Sequence, residues 1–262
     1  MWARPAPTLD APTLELLSAF CVRYGDHAVD LRPSARRLIA LLAVAGPHSR
    51  SDAASSLWPD VSRARAASNL RTARWRLRQD APGLLLDEGG VLGLGNVDCD
   101  LTEVREWAQR TIAGEQGEIP EHGTAELLPG WGDVWLIEQR EELRLLQLQA
   151  LEASAERLLT GGRLAAACRN AHAAAMMDPL RESAARLLIE IHVREGNLRD
   201  AVLRFHRFQH LLAEELGVQP SPAMTSLVAP FLKPEPGSPR RIARSRGRPD
   251  TSVRPHGTRS RP

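Results

Sequence analysis

Lysine is all but absent from this 262-residue chain: of 34 basic residues every one but Lys233 is arginine. A phosphate-binding GxxxxGK[ST] loop is thereby excluded, because Lys233 lies outside any such run. Cysteine is scarce too. Cys21, Cys99 and Cys168 are odd in number and form no CxxC pair, which argues against a disulfide framework and for reduced thiols. No apolar run reaches membrane-spanning length, and the opening MWARPAPTLDAPT lacks the apolar centre of a signal peptide. A soluble, cytoplasmic chain without membrane contact is expected. There is no GxSxG and no constellation of nucleophile and base, so neither catalysis nor a cofactor is expected. The eight histidines show no metal spacing. His206 and His210 stand four apart on a helical segment with no carboxylate or cysteine there to complete a site, and read as an exposed face.

What is present is charge, unevenly spread. Residues 1–100 carry 12 basic and 11 acidic side chains, residues 101–232 carry 13 and 19, and residues 233–262 carry 9 and 2. The net charges of +1, −6 and +7 exclude the middle as a nucleic-acid surface and allow the end to touch phosphate. Arginine abundance beside abundant alanine is what GC-rich coding produces, so clustering is more informative than number.

One cluster stands out. Ser62–Gln79 reads SRARAASNLRTARWRLRQ, with six arginines and no acid. Ala66, Leu70, Ala73 and Leu77 fall at helical spacing and form one packing stripe. The opposite side carries Arg65, Ser68, Thr72, Trp75 and Arg76, flanked by Arg71. Such a helix suits an anionic partner with hydrogen-bonding edges, as duplex DNA has. Taken alone it equally suits a solvated amphipathic helix.

Its surroundings decide. Leu14–Leu31 reads as a hairpin about Gly25 and Asp26. Pro33 opens a helix whose buried face is Ala35, Leu38, Ile39, Leu41 and Leu42, ended by Gly46-Pro47. Ser51 or Asp52 caps a short helix through Leu57 and Trp58, stopped by Pro59. The arginine-rich helix follows, and after Pro82-Gly83 a second hairpin spans Leu84–Val97 about Asp87–Gly90. Strands, three helices, hairpin: the order is that of a winged helix-turn-helix with an extra N-terminal sheet, whose third helix enters the major groove. LRPSARRLIALLAVAG, SLWPD and SNLRTARWRLR together resemble the DNA-binding domain of the SARP family of antibiotic-pathway activators, which shares the OmpR-type effector fold. Against that family's NLRxALSRLR, Asn69, Leu70, Arg71, Ala73, Arg76, Leu77 and Arg78 match. Arg74 replaces a leucine, its stem expected to snorkel at the core edge with the charge in water, and Trp75 replaces a small polar residue.

Beyond Asp100 the pattern turns helical. Asp100 and Glu103 have capping-box spacing for a helix to about Ile112, and a long helix runs from near Val134 to Gly161-Gly162. A 34-residue offset aligns Glu156 with Glu190, Gly162 with Gly196, Leu164 with Leu198 and Ala167 with Ala201, the tetratricopeptide period; a plain helical bundle would also satisfy it. Asp178-Pro179 is expected to cap and start a helix, and Pro220 and Pro222 to separate the last two. LLPGWGDVW, EQREEL, MDPLRES and ELGVQPSPAM resemble, in order, the bacterial transcriptional activator domain that follows the winged helix in SARP proteins. The fold expected is mainly α with an α+β N-terminal part: a lead (1–12), a winged helix-turn-helix (13–100), an all-α, tetratricopeptide-like activator domain (101–232) and a disordered basic tail (233–262).

The resemblance implies a non-enzymatic transcriptional activator that binds double-stranded DNA at promoter direct repeats as tandem protomers or a homodimer. It would recruit RNA polymerase holoenzyme at a secondary-metabolite gene cluster. Arg71, Thr72, Trp75 and Arg76 are expected to face base edges, and Arg65, Ser68 and Arg78 to meet phosphate. Two alternatives stay open: a ligand-sensing repressor on the same scaffold, and a tetratricopeptide-type interaction module without specific DNA binding.

Overall fold

Three short strands begin the chain in the computed structural model, which describes residues 11–232. β1 (Thr13–Glu15) and β2 (Cys21–Tyr24) pair antiparallel, and β2 turns into β3 (His27–Ala28) through Gly25, whose φ of +56° needs no Cβ. The first hairpin therefore lies where the sequence places it. Pro33 opens α1 (Pro33–Ala45) at its first turn and Gly46 closes it. Besides the five expected residues, Ala40 and Val44 are buried, so α1 is apolar nearly all round and sits at the centre of the N-terminal part.

Two short elements follow: β4 (His48–Ser49) and α2 (Arg50–Leu57). The cap of α2 is Ser49 rather than Ser51 or Asp52, its hydroxyl accepting the Asp52 N–H at 3.1 Å. The arginine-rich α3 (Arg63–Asp80) starts at Ser62. The second hairpin is β5 (Leu85–Glu88) and β6 (Val91–Leu94), joined by Gly89 and Gly90 with φ of +58° and +88°. Two consecutive positive φ values are those of a type I′ two-residue hairpin turn. Asp87 consequently sits within β5 opposite Leu92, not in the turn. β4 adds to β6 as a third strand, which the sequence did not announce.

β7 (Asp98–Cys99) returns to pair in parallel with β1, completing a four-stranded sheet ordered β3-β2-β1-β7. α4 (Asp100–Ile112) starts there without the expected capping box. The Asp100 carboxylate accepts instead from the N–H groups of Leu16 and Leu17, at 2.9 Å each, as well as from Leu101 at 2.7 Å. Tertiary donors outcompete the local cap because β1 ends beside it with these amides unpaired.

After a non-helical stretch over 113–133 the remainder is helical: α5 (Val134–Thr160), α6 (Leu164–Met177), α7 (Glu182–Arg194), α8 (Leu198–Leu216) and the short α9 (Pro222–Val228). The 34-residue offset is structural. Gly162 and Gly196 make the same left-handed turn (φ +73° and +77°), and Ala167 and Ala201 are buried at matching places on α6 and α8. Asp178-Pro179 does not start a helix: Asp178 ends α6, and α7 begins after Arg181. Pro222 does open α9, capped by Ser221.

The helical part is fastened to the winged helix. Leu127 bridges Leu17, Leu128 donates its N–H to the Leu16 carbonyl at 2.8 Å, and Asp133 accepts from Arg37 of α1. One apolar cluster runs from Leu14 through α1, α3, α4 and α5 to Ala174 and Ala184, with smaller clusters around Ile191 and around Phe205, Phe208 and Met224. Burying Leu127 and Leu128 fully contributes about 1.5–3 kcal/mol each. The expected sequence landmarks are thus fastening points. Arg140 donates to the Leu127 carbonyl, Arg144 to Asp178, and Arg181 to Glu152. The expected disordered tail, 233–262, and most of the lead lie outside the described residues.

Candidate nucleic-acid interface

α3 is built as its sequence asks. Ser62 caps it, accepting the Arg65 N–H, and Ala66, Leu70, Ala73 and Leu77 are all buried against α1 and α2. Packing that stripe turns the other side outward. Arg65, Ser68, Arg71, Thr72, Trp75 and Arg78 are exposed, and Arg76 is half-buried beside them. Trp75 leaves 64% of its surface in solvent. A tryptophan that contributes so little to the core is available for contact with a partner. The Thr72 hydroxyl donates to the Ser68 carbonyl at 3.2 Å and keeps its acceptor lone pairs free.

The charges of this face are selectively committed. Among the described residues, Arg63, Arg65, Arg71 and Arg76 have no carboxylate within 4 Å, whereas Arg74 and Arg78 both meet Asp87 of β5. Arg74 thus corrects the expectation of a stem snorkelling to water: its side chain is 14% exposed and its guanidinium rests on Asp87. Burial, with Arg50 and Arg78 nearby, pushes the Arg74 guanidinium down from its usual value. An arginine keeps its proton even so, and the contact with Asp87 stays one between a guanidinium and a carboxylate. Arg78 donates to Asp87 at 3.0 Å while remaining half exposed, so it is shared between the wing and solvent.

Sequence reasoning missed Arg50 and Asp87 in this constellation. Arg50, first residue of α2, also donates to Asp87, at 2.6 and 3.0 Å. No local pattern signals it, because the two lie 37 positions apart. The hairpin itself, Leu84–Val97, carries Asp87 and Glu88 and no basic residue. Any phosphate contact by this wing would have to use backbone N–H groups or the Asn96 amide, unlike the arginine-rich helix beside it.

Elsewhere the chemistry is sparse. His206 and His210 are exposed on α8, and His210 lies 2.9 Å from Glu214, a carboxylate four residues on that the sequence reading overlooked. Among the described residues no three potential metal ligands converge, and no helix is long and apolar enough to cross a membrane. A cavity of about 520 Å³ between residues 116–119 and the α5–α6 turn is lined by Ile119, Ser154, Arg157, Arg163, Arg169 and Asn170.

Comparison with known proteins agrees with this architecture. Residues 122–232 match the bacterial transcriptional activator domain. The regulatory protein AfsR of Streptomyces coelicolor is 28% identical over 231 residues, which are 82% of this chain and 23% of AfsR. The chain therefore spans less than a quarter of that relative's length. Mycobacterium tuberculosis EmbR, solved in complex with a low affinity phosphopeptide, superposes with a TM-score of 0.64 at 20% identity, over 83% of this chain and 64% of that one. EmbR shares the fold.

Proposed function

We propose, from its membership of the SARP family of transcriptional regulators, that this chain is a pathway-specific activator that reads promoter direct repeats through α3. The observation that carries the reading is the outward face of α3. Among the described residues, four of its arginines lack a carboxylate partner, and Trp75 and Thr72 stand between them. Arg71, Thr72, Trp75 and Arg76 are assigned to base edges, and Arg65, Ser68 and Arg78 to phosphates. Arginine suits the guanine edge because its fork matches O6 and N7. Residues 13–100 act as the DNA-binding unit and 101–232 as the unit that pairs tandem protomers and recruits RNA polymerase, in the cytoplasm. The target would be a secondary-metabolite gene cluster. Tandem protomers on one face of the duplex place half-sites about one helical turn, roughly 10–11 bp, apart.

Selection of duplexes from a random pool by the full chain, then titration of the winners at two salt concentrations, tests this. Enriched direct repeats at one-turn spacing support the reading. Sequence-blind, steeply salt-dependent binding would leave only electrostatics.

A second reading, a ligand-gated repressor, draws on the 520 Å³ cavity, whose size suits a small molecule and whose rim holds three guanidiniums. A reporter driven by the selected promoter separates activation from repression.

A further inference from the structure

Among the described residues, Asp87 is the only carboxylate within 4 Å of any α3 arginine. Three guanidiniums converge on it from two helices: Arg50 of α2 on Oδ1, and Arg74 and Arg78 of α3 on Oδ2. The Asp87 side chain is 2% exposed, so its charge is enclosed by the three cations. One carboxylate against three guanidiniums leaves the cluster at net +2.

The partners differ in how they are held. Arg74 is enclosed with Asp87 and joins the wing strand to α3. Arg50 and Arg78 have side chains 48% and 55% exposed, one at the start of α2 and the other in the last turn of α3. A phosphate approaching the edge between α3 and β5 competes with Asp87 for these two and not for Arg74. The wing brings no cation of its own, so among the described residues of the cluster Arg50 and Arg78 are the cations left partly in solvent.

We infer that Asp87 is a resident counter-ion that limits how many arginines the interface gives to phosphate, and thereby sets the ratio of sequence-specific to non-specific DNA binding. The inference rests on the DNA-binding reading and adds a positioning residue to it. The base-facing assignments, Arg71, Thr72, Trp75 and Arg76, lie outside the cluster. A change at Asp87 therefore alters the phosphate contribution while leaving base readout in place. Each added phosphate contact steepens the dependence of log K on log salt by about 0.9.

Two variants with opposite expected signs test it. Asp87→Asn keeps the shape and an acceptor but removes the charge. Its affinity for random-sequence duplex should rise about tenfold at low salt, with the salt slope steeper by about 1–2, while selected direct repeats gain less. Arg74→Met keeps the apolar stem and leaves Asp87 wholly to Arg50 and Arg78. Its random-duplex affinity should fall and its slope flatten. Melting by circular dichroism accompanies both, and Arg74→Met carries the test alone if the Asn variant does not fold. Unchanged slopes in folded variants, or a steeper slope in Arg74→Met, overturn the role of Asp87. A wild-type chain that binds neither duplex at low salt overturns the DNA-binding reading and the inference with it.

Discussion

The Leu17 N–H donates to the Asp100 carboxylate at 2.9 Å across 83 positions of sequence, tying the end of the first strand to the first residue of α4. The same carboxylate takes the Leu16 N–H. Leu16 and Leu17 also meet the Leu127–Leu128 segment, so Asp100 stands where sheet, α4 and the helical part come together.

Removing that carboxylate leaves two buried leucines with unpaired amides. Asp100→Ala is expected to lower stability by about 2–4 kcal/mol, since hydrogen bonds to charged groups contribute about 1.5–3 kcal/mol and orphaned donors cost more. Urea unfolding of the full chain measures it. A loss under 0.5 kcal/mol would mean water replaces the carboxylate without penalty.

Gly162 and Gly196 hold equivalent left-handed turns. Replacing either by alanine strains φ without filling any space, since nothing lies within 4 Å of the added methyl group. Each substitution is expected to cost about 1 kcal/mol, and the two should add, being in separate turns. Thermal melts of the single and double variants check the sum.

Trp75→Ala separates folding from recognition. The residue is mostly in solvent, so stability should stay within about 0.5 kcal/mol of wild type. Binding to selected direct repeats should weaken at least tenfold if the ring contacts a base or sugar. A variant that melts lower but binds normally would place Trp75 in packing instead.

Local signals were legible and tertiary ones were not. Pro33, Gly25, Pro222 and the Ala66–Leu77 stripe act within a turn or two of themselves, and each element lies where they put it. Ser51 and Asp178 failed as caps because Ser49 and Arg181, also local, occupy those positions. Asp100 had the spacing of a cap but found stronger donors from the other end of the domain. Arg74 looked like a core substitution, because its partner Asp87 comes from a hairpin whose pairing register brings the carboxylate under α3. β4 is two residues long and exists only through β6. The outward face of α3 was readable from periodicity alone, whereas the division of its arginines into committed and free ones required the fold.

The central claim, that the outward face of α3 reads sequence, is tested most directly by Arg76→Ala. Its affinity is to be measured on the selected direct repeat and on a random duplex at one salt concentration. The account requires a loss of about 1–3 kcal/mol on the selected site, as for a bidentate base contact, and a much smaller one on random DNA. An equal loss on both duplexes would contradict it and reduce Arg76 to a phosphate contact.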